Sequence, residues 1–257
     1  SPSPSLTLPP GTDRTPGRPF LLKSGDDPRF DVACLQVFEL LNLIWSQQQL
    51  AYQGVPVRCK LYRVVAITDN LGLVEFVPNC MPLTALARRL AFEVTETTVN
   101  HMVASAAAAF IAAYLLGIRD RHSDNILIDP SGNLFHIDFG HILGRGVTID
   151  TGPFALTPEF QYILNQWHKW NDFLDICEKA YWLLRLHADV IVDFTDLMLS
   201  PCCPEADVQA FVRERMLERQ DLTTACQTLK KMLSGAHKNY KTRFKNLVHG
   251  AAVKLKG

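Results

Sequence analysis

The chain carries no excess of charge: Lys+Arg 26 and Asp+Glu 26 give a formal net charge of +0 over 257 residues. No global field draws it to nucleic acid, so any charged partner has to be read from local clusters. It also lacks a CxxC pair, and its 7 cysteines are scattered without matching Cys/His spacing. A disulfide framework and a zinc finger are therefore disfavoured, and a reducing cytoplasm is the expected compartment. Long apolar runs are missing too, since the longest, Ala106 to Ile118, falls short of the roughly 20 residues of a membrane-spanning helix. No basic-then-apolar leader opens the sequence, and a transmembrane protein is not expected. What is present is 47% hydrophobic residues, enough to build the core of one large domain or two lobes.

Ser1 to Arg18 is rich in Ser, Pro, Gly and Thr and reads as a loop around one edge strand, Leu6 to Leu8; its abrupt start suggests that sequence precedes it. Pro19 to Lys23 reads as a short strand. From Asp31 to Gln48, Val32, Leu35, Val37, Phe38, Leu41 and Ile44 fall at helical spacing, with Asp31 in the first turn. Leu61 to Ile67 and Leu71 to Val77 look like two strands joined at Thr68-Asp69-Asn70. Beyond Pro82 helical patterns dominate, at Glu96 to Leu116, in several segments between Pro158 and Leu199, at Glu205 to Arg219 and near Lys238 to Lys254.

One interruption breaks that helical region. Ile126-Leu127-Ile128 and Leu134-Phe135-His136 flank Asp129-Pro130-Ser131-Gly132-Asn133, a strong turn signal, and the spacing predicts a hairpin. A hairpin brings together the residue before its first strand and the residue after its second, so Asn125 and Asp138 are expected to converge across 13 positions. Both offer hard oxygen ligands, and Mg²⁺ in phosphoryl-transfer sites is held by one or two such groups plus substrate phosphates. Just upstream, Asp120-Arg121-His122 presents an acid, a cation and a titratable imidazole. The run from Asp120 to Asn125 is too polar for a core, and its plain alternative is a solvated helix-to-strand loop.

GIRDRHSDNILIDPSGNLFHIDFGHILG, Gly117 to Gly144, resembles the catalytic loop (117–125) and metal loop (138–140) of the phosphatidylinositol 3- and 4-kinase superfamily. That superfamily is marked by DRHxxN followed by HIDFG, and both occur here in order, whereas ordinary protein kinases carry HRDxxxxN. The resemblance implies an α+β, bilobal kinase-like fold with a small mixed N-lobe over 1–79 and a larger, mostly helical C-lobe over 80–257. ATP and Mg²⁺ are the implied cofactors.

The resemblance extends along the chain from about Pro19. Phe20 to Asp27 is similar to the family's lysine strand and GDD turn, which would put Lys23 on the ATP phosphates. Asp31 and Tyr62 would line the inner nucleotide pocket, and Ile137, beside the metal loop, would contact the nucleotide too. Gly72 to Asn79 resembles the inter-lobe hinge (75–79), where backbone groups of Glu75 and Val77 would hold the adenine edge. An exposed edge lysine, a commonplace helix-start acid and an ordinary strand tyrosine are the plain alternatives at Lys23, Asp31 and Tyr62. His136 reads equally as a satisfied hairpin histidine. Two departures stand out: the family's phosphate loop usually offers serines and a lysine, where this chain has only Ser1, Ser3 and Ser5, and Pro28-Arg29-Phe30 replaces the usual Leu-Arg-Gln.

The implied reaction is in-line transfer of the ATP γ-phosphoryl group to an inositol hydroxyl. Asn125 and Asp138 would hold Mg²⁺, His122 would accept the proton, Asp120 would orient His122, and Arg121 or Asp124 would support the loop. In the activation segment (140–158) the stretch between Gly144 and Pro153 has one basic residue, Arg145. Without a basic cluster to pair extra phosphates, phosphatidylinositol in a membrane is the expected substrate. The flanks His141 to Gly144 and Pro153 to Pro158 resemble 3-kinases, while Tyr62 to Ala66 and Val77 to Cys80 resemble 4-kinases, so the 3-position is favoured and the 4-position kept as an alternative. A related Ser/Thr protein kinase and a non-catalytic nucleotide-binding scaffold are the other readings. The protein-kinase group usually ends in a short apolar, aromatic segment, and this chain ends Ala251 to Gly257. A regulatory subunit or upstream domains, and no nucleic acid, complete the expected partners.

After Asp221 there is no Asp or Glu, while Lys230, Lys231, Lys238, Lys241, Arg243, Lys245, Lys254 and Lys256 follow. With Tyr240, Phe244, Leu247, Val248 and Ala251 at roughly helical spacing, this stretch is expected to form an amphipathic helix. Such a helix either meets anionic headgroups or simply covers the core. The expected location is therefore cytoplasmic and peripheral at a membrane surface.

Overall fold

In the computed structural model, residues 19–83, 85, 94–119, 123–145, 153–154 and 156–236 are described. Strand β1 (Phe20–Ser24) leads into helix α1 (Pro28–Gln47) through Gly25. The helix starts where it does because the Asp27 carboxylate accepts the Arg29 amide at its N-terminus and Pro28 supplies a preset φ in the first turn. Asp31, Cys34, Phe38, Leu41 and Trp45 follow at three- and four-residue spacing and are all buried. Trp45 fixes α1 to a later helix, its Nε1 donating to the Ala180 carbonyl at 3.0 Å.

A minimal hairpin, β2 (Ala51–Tyr52) and β3 (Val55–Pro56), turns on Gln53 and Gly54. Strands β4 (Val64–Ala66) and β5 (Leu71–Glu75) then join β1 in an antiparallel sheet of order β1-β5-β4, with Lys23 opposite Gly72. Strand β6 (Met81–Pro82) pairs with β7 (Ile126–Ile128), which pairs with β8 (Leu134–His136). The hairpin expected at 126–136 forms in the register Ile126↔His136 and Ile128↔Leu134.

Helix α2 (Glu96–Leu115), capped by Thr95, is the centre of the core. By length and composition it matches a membrane span. Its side chains from Met102 to Leu115 are instead buried within the protein, packed chiefly against β8 and α4 (Trp170–Arg185). Its alanines let those elements approach closely. Ser105 stitches it to the hairpin by donating to His101 O at 2.6 Å and accepting the Leu134 amide at 2.8 Å. Gly132, at φ +94°, rests on the same helix so tightly that a Cβ would lie 2.3 Å from Thr98 O. Helices α3 (Pro158–Gln166), α5 (Ala188–Leu199) and α6 (Val208–Arg215), then a helix over 222–236, complete an α+β fold.

Most expected elements are present with trimmed ends. The strand expected at Leu61 to Ile67 pairs only over Val64–Ala66, and the helix expected at Glu205 to Arg219 runs only over Val208–Arg215. The helix over 222–236 and the β2–β3 hairpin lie outside the expected set. Lys230, counted above with the basic tail, is engaged by Asp175 (2.6 Å) and Glu178 (2.8 Å) of α4. The strand expected at Leu6 to Leu8, the serines before it and the helix expected near Lys238 to Lys254 lie outside the described residues. All 7 cysteines are free thiols, in keeping with the absence of a disulfide pattern.

Candidate functional site

Three elements distant in sequence deliver three charges to one point. Lys23 on β1 donates to Asp31 Oδ2 at 3.0 Å and to Asp138 Oδ1 at 3.0 Å. Asp31, in the first turn of α1 and 2% exposed, also accepts the Phe139 amide on Oδ1 at 3.0 Å. Phe139 is held in turn by α1, its ring edge-on to Phe38 at 5.4 Å. Asp31 thus locks Phe139, just after β8, to α1 and grips Lys23 from the same carboxylate. Hydrogen bonds to a charged group each stabilise by about 1.5–3 kcal/mol. Asp138 adopts φ +64°, a left-handed conformation unusual outside glycine, and its side chain is 43% exposed.

Burial raises the Asp31 carboxyl above its ordinary value, with Lys23 and the Phe139 amide opposing that shift. Burial pulls the Lys23 ammonium down, but the two carboxylates outweigh it and hold it above its ordinary value, so Lys23 stays charged. The buried acid is therefore tolerated because the ammonium, aided by the Phe139 amide, stands against it.

Asn125 ends a 3₁₀ turn (Ser123–Asn125) and is buried, and its carbonyl accepts the Ile137 amide at 3.2 Å. That bond brings the residue before β7 beside the residues after β8, the convergence expected from the hairpin. Asn125 and Asp138 are two hard oxygen donors of the kind Mg²⁺ accepts. Among the described residues no cluster of three or more His, Cys, Asp or Glu forms a metal cage. The hairpin turn is fastened by Asp129, whose carboxylate accepts the Ser131 and Asn133 amides and pairs with Lys60.

Beside the charged trio lies a cavity of about 480 Å³ lined by Leu21, Tyr62, Val74, Val77, Leu127 and Ile137, with Lys23, Asp31 and Asp138 at its polar end. Tyr62 is buried and tilts on Phe135 at 6.3 Å. Glu75 also lines the cavity and is tied to Arg63 twice, its amide donating to Arg63 O at 2.7 Å and its carboxylate accepting Arg63 N at 2.9 Å. The Val77 amide makes no backbone hydrogen bond among the described residues. The arrangement has an apolar slot for a flat group and a charged end suited to phosphates and a cation.

Of the residues expected from the sequence, Lys23, Asp31, Tyr62, Glu75, Val77, Ile137 and Asp138 line this one cavity, and Asn125 is hydrogen-bonded to its edge through Ile137. Asp120, Arg121 and His122 lie outside the described residues. His136 is buried in the hairpin with its ring edge-on to Phe110 at 5.4 Å. Sequence reasoning does not reach the Phe139 amide as the partner of Asp31, since a contact across 108 positions leaves no local signal. Cys80, noted in the sequence only as the end of the 4-kinase-like stretch Val77 to Cys80, also lines the cavity wall.

The family model for phosphatidylinositol 3- and 4-kinase matches residues 17–99 and 91–207. Phosphatidylinositol 3-kinase 3 of Dictyostelium discoideum is 34% identical over 237 residues, covering 80% of this chain and 14% of that protein. The human phosphatidylinositol 3-kinase C2 domain-containing subunit gamma is 29% identical, covering 91% of this chain and 18% of its own length. The human phosphatidylinositol 4-phosphate 3-kinase C2 domain-containing subunit beta is 32% identical, covering 72% and 13%. The chain thus spans less than a fifth of each of these relatives. With a family match that runs over most of its length and a relative 34% identical over 80% of it, the chain belongs to the phosphatidylinositol 3- and 4-kinase family.

Proposed function

We propose that the chain is the catalytic unit of a lipid kinase that transfers the ATP γ-phosphoryl group to the 3-hydroxyl of phosphatidylinositol. The observation that carries this reading is Lys23, shared between Asp31 and Asp138 at the charged end of the 480 Å³ cavity. In this reading residues 1–79 and 80–257 are two lobes joined by a hinge at 75–79. The adenine edge bonds the backbone of Glu75 and Val77, with Tyr62 and Ile137 against the ring, and the Lys23 ammonium holds the phosphates.

Asn125 and Asp138 fit Mg²⁺ as a pair of oxygen donors at the phosphate end, and would hold it. When bound, that ion supplies charge neutralisation on the transferred phosphoryl group. His122 takes the proton of the attacking inositol hydroxyl, Asp120 orients the imidazole, and Arg121 or Asp124 keeps the loop in place. Orientation and electrostatics do most of the work in such a transfer, which is why Asp31 clamps both Lys23 and the Phe139 amide. The protein works at the cytoplasmic surface of a membrane, with regulatory subunits or further domains as its partners. Relatives named as phosphatidylinositol 3-kinase and phosphatidylinositol 4-phosphate 3-kinase support the 3-position. The uncharged stretch Val147-Thr148-Ile149 supports the unphosphorylated headgroup.

Radiolabelled ATP supplied with phosphatidylinositol vesicles, with a generic protein substrate, and with neither tests the reading. Label is expected in the lipid, and headgroup analysis is expected to place it on the 3-hydroxyl. Label in the protein substrate identifies a protein kinase, and nucleotide binding without transfer identifies a scaffold.

A further inference from the structure

Arg215, the last residue of α6, touches no part of the cavity, yet two chains of contact run from it to opposite ends of the activation segment. Its guanidinium carbon lies 5.0 Å from the Phe211 ring centroid and 5.3 Å from that of Tyr114. Phe211 reaches the outgoing end. A Cβ on Gly117 would lie 2.4 Å from Phe211 Cζ, and one on Gly144 3.5 Å from Phe211 Cε2. Gly117 opens the catalytic loop, and φ +57° there suits a residue without a Cβ. The two loops are laced together at that point by Arg119 N to His141 O (2.8 Å), Leu143 N to Leu116 O (2.8 Å) and Gly144 N to Gly117 O (3.0 Å). Tyr114 reaches the returning end: it stacks on Phe154 at 4.9 Å with the planes 12° apart, and both rings are buried.

Tyr114 and Phe211 approach the guanidinium from α2 and α6, so a single planar cation keys the two ends together. Arg215 is itself held, because Tyr181 of α4 donates to its carbonyl at 3.1 Å. Burial pushes the Tyr114 phenol up to about 12, with Arg215 drawing it back, so the ring stays neutral at physiological pH.

We propose that Arg215 is a positioning residue that fixes Leu143 and Gly144 against Gly117, and Phe154 against Tyr114, and thereby sets how the lipid headgroup is presented. The inference rests on the proposed lipid-kinase reading only for its second half. A lysine is a poor replacement, since an ammonium on a flexible stem carries charge to the rings but no plane to stack between them.

Two measurements on the full chain test it. Amide hydrogen exchange of Arg215→Gln is expected to be about tenfold faster at Leu143 and Gly144, with the Ile137 amide unchanged as an internal reference; Arg215→Lys should fall between parent and Gln. In vesicle kinetics Arg215→Gln should raise KM for phosphatidylinositol about tenfold and leave KM for ATP within about twofold. Unchanged exchange at Leu143 and Gly144, or exchange raised equally at Ile137, overturns the positioning role whether or not the parent is active. Equal rises in both KM values, or none, overturn its link to headgroup presentation. A parent that labels no inositol lipid instead overturns the functional reading, and the exchange result still decides the role of Arg215.

Discussion

Removing the Lys23 ammonium leaves a buried carboxylate facing a hole. In Lys23→Met, Asp31 keeps the Phe139 amide but loses its one cationic partner among the described residues, at 3.0 Å with the Asp31 side chain 3% exposed. At an effective dielectric of about 20, a pair of unit charges that close attracts by about 5 kcal/mol, an upper bound before the cost of desolvating each ion is deducted. Lysine is half-buried here and Met recovers some apolar contact, which brings the expected destabilisation to about 2–3 kcal/mol. Asp31→Asn is different. It discards the burial cost of the carboxylate together with the attraction and keeps an oxygen for the Phe139 amide, so its expected effect is within about 1 kcal/mol. The double variant should then resemble Asp31→Asn, with a coupling of about 2 kcal/mol. Thermal unfolding reads this directly, since at about 2–4 °C per kcal/mol for a domain of this size Lys23→Met should melt roughly 5–10 °C lower and the double variant recover most of it. Additive melting shifts would refute the view that Asp31 is tolerated in the core because of Lys23.

Asp138→Asn should abolish phosphoryl transfer and leave circular dichroism unchanged, because it weakens a hard oxygen donor on a half-exposed side chain without changing volume; more than about a tenth of parental turnover at saturating Mg²⁺ removes the metal assignment. At the hairpin turn, burial raises Asp129 but the Lys60 and Asn133 bonds outweigh it, leaving the carboxyl below its ordinary value. A depressed carboxylate contributes stability that is present above its unfolded value, about 3.9, and is lost as pH falls through the folded value. Lys60→Met should therefore narrow the difference in melting temperature between pH 7 and pH 3, and an unchanged difference counts against the pairing.

The parts of this fold written locally were legible. Ile126-Leu127-Ile128 and Leu134-Phe135-His136 around a Pro-Ser-Gly turn could only close as a hairpin, and closure alone places Asn125 next to Ile137. Asp31 was legible as a first-turn acid, but not as the clamp on Phe139, because that bond depends on how α1 meets the hairpin. The β2–β3 hairpin does carry a signal, a two-residue Gln53-Gly54 turn with both φ positive, yet two-residue strands show no alternation to read. The helix over 222–236 has a clear one in Leu222, Cys226, Leu229 and Leu233, with the Asp221 carboxylate accepting Thr224 N at 3.0 Å as its cap. Arg215 has none, since a guanidinium between two rings is indistinguishable in sequence from any basic residue in a last helical turn.

The charge count at the site bears on how a nucleotide enters it. One ammonium faces two carboxylates at 3.0 Å, and Asp26 stands a third at 3.8 Å from the same nitrogen. The described end of the cavity is therefore net negative, and a bare triphosphate would approach against its own sign. Under the proposed function, Asp138, the more exposed of the two carboxylates in direct contact with Lys23, would hold a cation that offsets this negative charge. Lys23 would then have a phosphate oxygen to turn to, while Asp31, buried and bonded to Phe139, keeps it anchored. Two acids around one lysine would then divide the work: Asp31 serves the fold and holds the ammonium in place, and Asp138, with its side chain 43% exposed, would be the one available to the incoming charge.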